Sequence, residues 1–475
     1  MTFDYATEFR DIARMDACGR SEREVEARAE ACETLARRAP TLESLERAIA
    51  SDDRDFAWAF ASSNASIRKM ACVVVKEVVK KGRDEASAKA RFEARRAALT
   101  RIARGDTTTI ANAAIEALIA MCERDSTVVD GVLEGVVREL MRDGTTTARA
   151  RGAALAAAVS GANEESALAV VRSGALEGLV REIENHKEDG LGSLVALEIV
   201  ADVAETSTAA ASGLKALGVG DALARIANDP DTDSAVRAQT LKVSGRVAGT
   251  SSSADDALVQ KMRDMLVDMF EMGERDIRAS VFDALGAMCA KSKPLASDIV
   301  PSVAKVVDSI AYSAFKGSGE LQLFALYALG SICGAERGGD ALLSAAAEGV
   351  IKSACFSACE GQIAMEDRVH SVVAIKATHF DELRCQMFRL LSALCKRDWC
   401  AEAVANHAAL RQDLCHEFER NSYARDFRAA ALKSLAAANI SNTLARDEFA
   451  LAAAGRLISR AATVAIPVVA TAHRS

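Results

Sequence analysis

One helical pattern recurs along the chain and constrains its fold more than any other feature. Leu383, Met387, Phe388, Leu391 and Leu394 fall on one face of an α-helix. The same pattern starts at nine positions: Ile67, Ile110, Ala148, Gly192, Val236, Ile277, Leu321, Leu383 and Phe427. The successive intervals are 43, 38, 44, 44, 41, 44, 62 and 44 residues.

A period in the low forties with one amphipathic helix in a fixed register is typical of armadillo and HEAT repeats. A single repeat cannot bury its apolar face alone, so each repeat must stack on its neighbours. The sequence therefore predicts an all-α fold, an armadillo/HEAT-type α-solenoid whose stacked helical repeats form a right-handed superhelix. Hydrophobic residues make up 50% of the chain and aromatic residues only 4%, a composition that favours Ala- and Leu-rich helices over strands.

The pattern also predicts how the chain is divided. Residues 1–60 hold acidic helical segments without a clear copy of the pattern and are predicted to form an N-terminal helical cap. Residues 61–445 form the repeat array, with an insertion near 335–380 inside the one long interval. Residues 446–475 are predicted as a C-terminal cap and tail. The insertion is either a longer connection between repeats or a functional element on one face.

A second motif, found at Gly131, Gly174 and Gly218, lies between copies of the first pattern. We expect each glycine to follow a short helix and to let the backbone turn sharply with positive φ. The predicted repeat is then two short helices joined at a glycine, a polar loop, and the long patterned helix. We call this long helix the template helix.

Charge and cysteine content limit the function classes. The net charge of −8 disfavours nucleic acid as the main ligand. The acidic N-terminus has no secretory pattern, and no stretch approaches 18 uninterrupted apolar residues, so we expect a soluble intracellular protein without a membrane partner. The twelve cysteines form no CxxC pair, which favours buried free thiols in a reducing compartment.

No constellation of residues points to catalysis or to a metal. The spacing of Cys395, Cys400, His407 and Cys415 matches no compact zinc pattern. Neither HExxH nor a glycine-rich phosphate loop is present. The sequence therefore predicts a protein that is not an enzyme and that has no catalytic, cofactor or metal site.

The residue six positions after each template start should face away from the buried stripe, into a groove. Nuclear-import adaptors of the armadillo type carry repeated Trp and Asn in this groove, and this chain has neither ladder. Its mixed charges suit a folded partner held by surface patches. The predicted partner-binding residues are Glu198, Lys242, Asp283, Tyr327, Arg389 and Lys433. In the same register, Leu285 should be buried and Asp283 exposed.

The C-terminal third carries a family resemblance. An E-L-x-C motif at 382–385, Trp399 after the helix, and an A-L-x-x-L-A run at 431–436 resemble the 26S proteasome non-ATPase regulatory subunit 5 family. Weaker similarity extends back to residues 63–72 and to the repeat number. The tail differs, since the family's aromatic, proline-containing end is replaced by A-T-V-A-I-P-V-V-A-T-A.

The resemblance implies a chaperone for assembly of the proteasome regulatory particle. Such a protein binds the C-terminal domain of a base ATPase subunit and leaves before the complex is finished. We expect a monomer when free, located in the cytoplasm and also in the nucleus. The alternative is a generic armadillo or HEAT adaptor or scaffold in a transport, trafficking or phosphatase complex, which the identity of its bound partners would distinguish.

Overall fold

The computed structural model describes residues 5–18, 21–38, 53–81, 86–143, 145–273, 275–358, 381–416 and 421–455. All regular elements in these ranges are helices, and no strand occurs in them. The chain divides into two compact units, Met1–Val243 and Ser244–Ser475. The predicted tail after residue 455 and the part of the predicted insertion at 359–380 lie outside the described residues.

The first unit is built from helices joined by short loops. Within α7 a π-helical turn at Leu133–Val137 separates Val129–Val132 from Arg138–Met141. The helices are α1 (Tyr5–Ala17), α2 (Glu22–Arg38), α3 (Asp53–Ala61), α4 (Ala65–Lys81), α5 (Ala86–Gly105), α6 (Thr108–Arg124), α7 (129–141), α8 (Thr146–Ser160), α9 (Glu164–Arg172), α10 (Ala175–Glu184), α11 (Gly190–Thr206), α12 (Thr208–Ala216), α13 (Val219–Asn228) and α14 (Ser234–Ala248), which contains the unit boundary.

The second unit continues with helices of similar length. They are α15 (Ala257–Met272), α16 (Arg275–Ala290), α17 (Lys293–Ser302), α18 (Ala304–Lys316), α19 (Gly319–Ile332), α20 (Ala345–Ala358), α21 (Asp381–Leu394), α22 (Asp398–Asn406), α23 (Ala408–His416), α24 (Ser422–Ala437) and α25 (Thr443–Ala453).

The predicted template starts fall at a constant place in their helices. Eight of the nine, from Ile67 in α4 to Leu383 in α21, are the third residue of the helix. In several repeats a polar side chain three residues earlier caps the helix and accepts a hydrogen bond from the start residue's N–H. Asn64 does so at 3.3 Å, Asp189 at 2.8 Å and Asp233 at 3.4 Å. The cap therefore sets where each template helix begins.

The ninth predicted start, Phe427, is wrong by three residues. Asn421 caps α24 and accepts from the N–H of Ala424 at 3.1 Å, so Ala424 is the third residue of this helix. Ala424 is fully buried, whereas Phe427 is only half-buried. The last interval is therefore 41 residues, and Lys433 lies nine positions after the true start.

Template helices pack side by side within each unit. In the first unit α4 packs on α6, α6 on α8 and α8 on α11, and α2 packs on α4 in the same way. In the second unit α16 packs on α19, α19 on α21 and α21 on α24. This stacking is that of an α-solenoid, and the predicted all-α armadillo/HEAT-type fold is confirmed. The handedness of the superhelix and the predicted boundaries of cap, array and tail stay predictions.

The glycine prediction is confirmed at two positions and wrong at a third. Gly174 and Gly218 adopt φ of 73° and 76° immediately before α10 and α13. Gly131 instead lies inside α7, where a Cβ atom would stand 2.7 Å from Cε1 of Phe92. A side chain is absent there because another helix comes close, so the motif at 131 marks packing and not a turn.

In three repeats of the first unit, an arginine one residue after the template start donates hydrogen bonds to carbonyl oxygens of the preceding loop. Arg68 donates to the carbonyl oxygens of Ser62 and Ser63, both at 2.8 Å. Arg149 donates to Asp143 O at 3.3 Å, and Arg237 donates to a loop carbonyl in the same way at 2.7 Å. Loop carbonyls that would otherwise lack partners are satisfied by these charged donors.

In the second unit, two buried arginines donate hydrogen bonds to carbonyl oxygens at helix ends. Arg397 donates to both carboxylate oxygens of Glu348, at 2.7 and 2.9 Å, and to Cys333 O at 3.1 Å. Arg337 donates to Ile332 O at 2.7 Å. Arg337 and Glu348 belong to the described part of the predicted insertion, which is therefore packed against the ends of α19 and α21.

Most of the described cysteines are buried, as predicted, and two, Cys18 and Cys385, are not. Eleven are described, nine of them are buried, and all eleven are free thiols. Burial raises the pKa of Cys72 and of Cys289 to about 12, so these thiols stay neutral and pack as small apolar side chains.

Leu285 tests the packed face of the second unit. Its side chain is buried at 2% exposure, as the register predicts. We expect Leu285→Ala to lower the free energy of unfolding by about 2 to 5 kcal/mol, because the cavity that it leaves cannot fully collapse. Denaturant unfolding measures this change. Lys433→Ala, at an exposed position of α24, is the control, and equal losses in the two variants would contradict the assignment of faces.

Candidate functional site

The six predicted partner-binding residues do not share one environment. Glu198 and Lys433 are exposed, and Lys242 and Tyr327 are half-buried. Asp283 and Arg389 are buried, at 7% and 6% exposure. The expectation that Asp283 is exposed is therefore wrong, and Arg389 is buried as well. In the second unit, Asp283 and Tyr327 each lie six positions after a template start and face the gap beside the neighbouring template helix.

A cavity of about 520 Å³ lies in that gap in the second unit. Four successive template helices contribute to it: α16 with Asp283, α19 with Tyr327, α21 with Gln386, and the start of α24 with Tyr423. Two of the predicted residues, Asp283 and Tyr327, line it together. Of the others, Arg389 stacks beneath Tyr327, and Lys433 lies on α24 but does not line the cavity. Glu198 and Lys242 belong to the first unit.

The walls of the cavity are aromatic. Phe324 and Tyr327 come from α19, and Tyr423 and Phe427 from α24. Because aromatic residues make up only 4% of the chain, four of them around one cavity are a local enrichment. Tyr423 is 72% exposed at the rim. Large aromatic side chains that combine an apolar body with a polar tip are favoured at protein interfaces.

The polar groups of the cavity are mainly hydrogen-bond acceptors. Asp283, Asp381 and Glu382 contribute carboxylates. Asp381 accepts from Arg384 at 3.2 Å and from Asn421 at 3.3 Å. These acceptors, beside aromatic faces, favour a positively charged donor as occupant.

One acceptor in this cavity is buried without a partner. Oε1 of Gln386 accepts no hydrogen bond from any residue that the structure describes. A buried amide oxygen in this state loses the free energy of a hydrogen bond to water.

Arg389 supports the cavity from below. Its guanidinium lies 4.5 Å from the ring centroid of Tyr327 and donates to Tyr327 O at 2.9 Å. It also donates to Ser331 Oγ at 2.8 Å and pairs with Glu336. Burial lowers the pKa of Arg389, but an arginine stays charged. Arg389 thus holds Tyr327 from the buried side of the cavity.

Sequence reasoning missed the C-terminal wall of this cavity. Tyr423 and Phe427 are on the first turns of α24, and the misplaced template start assigned Phe427 to the core. The signal that would have corrected the register was Asn421, a strong capping residue three positions before Ala424. Trp399 is half-buried against Phe356 of α20, with ring centroids 5.3 Å apart.

The site offers binding groups. Within the described ranges, no group of three or more His, Cys, Asp or Glu side chains could hold a metal ion. Among the described residues that line the cavity, Cys385 is the one thiol and none is a histidine; the Cys385 thiol donates to Asn421 Oδ1 at 3.6 Å. The arrangement can hold a cationic side chain between aromatic faces and carboxylates.

A family model described as the proteasome non-ATPase 26S subunit matches residues 33–442. The chain belongs to this proteasome non-ATPase subunit family. The match covers both units and the four helices that build the cavity. Membership of this family together with an α-solenoid fold is typical of a non-enzymatic scaffold associated with the proteasome.

Solved structures and curated sequences add little to this assignment. An engineered protein is 15% identical, with a TM-score of 0.43, and the match covers 92% of this chain and 100% of that one. A designed armadillo repeat protein is 13% identical, with a TM-score of 0.38, covering 55% of this chain and 99% of that one. The fold stated above rests on helix packing and not on these likenesses. No curated protein matches this chain significantly. None of its described helices has the length and apolar character of a membrane span.

Substitution of Arg389 tests its supporting role. We expect Arg389→Met to lower the free energy of unfolding by about 3 to 5 kcal/mol, because the partners of a buried charge are left unpaired. Thermal and denaturant unfolding measure this loss, with Arg425→Ala, an exposed arginine of α24, as the control. A stability equal to that of the control would show that Arg389 is not part of the supporting network.

Proposed function

We propose that this proteasome family protein is a non-enzymatic chaperone for assembly of the base of the 26S regulatory particle. It binds the C-terminal domain of a base ATPase subunit through the surface of its template helices and is released before the particle is complete. The observation that carries the proposal is the acceptor-lined aromatic cavity on four successive template helices of a chain that belongs to a proteasome subunit family.

The cavity supplies the central contact of this proposed interface. A lysine or arginine side chain of the ATPase domain enters between Tyr327 and Tyr423, and its donors meet Asp283 and Glu382. A buried anchor with aromatic walls is the usual form of an interface hot spot. The remaining predicted contacts, Glu198, Lys242 and Lys433, meet charged groups of the partner at the surface and contribute mainly to the rate and specificity of association.

The proposed contacts also allow the protein to dissociate from the ATPase subunit. One cationic anchor and exposed charge pairs hold the partner with moderate affinity, since exposed ion pairs each contribute about 0 to 1 kcal/mol. A competing surface on the growing complex can then displace the protein. We further propose a free monomer in the cytoplasm and the nucleus, which is supported by free buried thiols suited to a reducing compartment.

Affinity purification of the tagged full chain tests the proposal. We expect base ATPase subunits to co-purify without the mature proteolytic core particle. The double variant Tyr327→Ala/Tyr423→Ala should reduce their recovery about tenfold or more, in line with the loss of two aromatic hot-spot residues.

The control is Tyr312→Ala, because Tyr312 is 61% exposed in the same unit and does not line the cavity. It should recover the ATPases as well as the unmodified chain does. Recovery of transport or phosphatase components in place of base ATPases would replace the proposal with the adaptor alternative. Equal recovery by the cavity variant and the control would remove the cavity from the interface.

A further inference from the structure

A second cleft, in the first unit, has the opposite charge. It has a volume of about 660 Å³ and lies between α7, the end of α9 and the start of α10. Its lining includes four arginines: Arg138, Arg142, Arg172 and Arg181. All four are exposed, in a chain whose net charge is −8. We call this the arginine cleft.

The arginines of this cleft are not neutralised by their neighbours. Two carboxylates also line it, and one of them, Glu182, is paired with Arg149 at 2.6 Å. Of the carboxylates in the described lining, Glu177 alone remains to balance the four charges. Among the described residues, no side chain forms an ion pair with Arg138, Arg142 or Arg172. Four positive charges in one cleft make the local electrostatic potential positive. A positive potential attracts an anion.

The backbone around the cleft also favours an anion. Gly174, in the left-handed conformation, precedes α10, and Ser173 Oγ accepts a hydrogen bond from the first N–H of this helix, that of Ala175, at 3.2 Å. Arg138 and Arg142 are four residues apart, and therefore on one side of α7, immediately after its π-helical turn. The positive end of α10 thus adds to the field of the arginines.

The lining distinguishes between classes of anion. Met141 is half-buried in the lining and offers an apolar contact for carboxylates carried on aliphatic stems, whereas Leu133 and Val137 are buried behind it. None of the described residues that line the cleft is aromatic, so they offer no stacking platform for nucleic-acid bases. An acidic peptide meets both conditions.

We propose that the arginine cleft binds an acidic, glutamate-rich segment of a partner protein. The side chains of Arg138, Arg142, Arg172 and Arg181 pair with its carboxylates, and a glutamate stem lies on Met141. This inference uses none of the residues of the aromatic cavity and does not depend on the identity of the partner proposed above.

Fluorescence anisotropy with the full chain and a fluorescein-labelled octaglutamate peptide tests the cleft. We expect the peptide to bind, more weakly as salt is raised, and the octaglutamine peptide not to bind. The double variant Arg138→Ala/Arg172→Ala should bind octaglutamate about tenfold or more weakly. Both positions are exposed, so circular dichroism should show an unchanged fold.

The matched control removes two exposed cations outside the cleft, in Lys187→Ala/Arg225→Ala. It should bind octaglutamate as the unmodified chain does. Absence of octaglutamate binding, equal weakening by both double variants, or equal binding of octaglutamine would overturn the proposal. Tighter binding of a single-stranded oligodeoxynucleotide than of octaglutamate would assign the cleft to nucleic acid and overturn it as well.

Discussion

The packing of one template helix against the next is the constraint on which the rest of the structure depends. Each template helix has an apolar face that is too large to leave in water and too small to form a core alone. The neighbouring template helix must therefore come close, and small residues permit this: a Cβ atom on Gly286 would stand 2.7 Å from Cα of Ala328. The faces that remain outside these contacts are the surfaces on which a partner can dock.

Close stacking buries helix ends and loops, whose carbonyl groups then need donors. Arginine side chains supply these donors in both units. Arg68 donates to a loop carbonyl oxygen, and Arg397 donates to a carbonyl oxygen at a helix end. In the second unit a buried arginine also contacts the wall of the cavity. Arg389 donates a hydrogen bond to Tyr327 O and stacks on the Tyr327 ring. Stability and site geometry thus share one set of buried charges, which explains why a predicted contact residue lies beneath the site.

The sequence was informative where periodicity decides the outcome. Eight template starts, the burial of Leu285 and the turns at Gly174 and Gly218 followed from spacing alone. Spacing gives the face of a helix but not the distance to its neighbour, so it could not foresee the burial of Asp283. The arginine cleft was not visible either, since its residues come from three helices. The error at Phe427 arose because an apolar pattern fits more than one register unless the capping residue is considered.

The central claim is that the cavity beside α16, α19, α21 and α24 receives the partner. Hydrogen–deuterium exchange of the full chain, alone and with each base ATPase C-terminal domain in turn, tests it most directly. The account predicts that one domain slows exchange in residues 319–327, 381–386 and 421–427, where the cavity-forming helices begin. Protection confined to other segments, with these three unchanged, would contradict it.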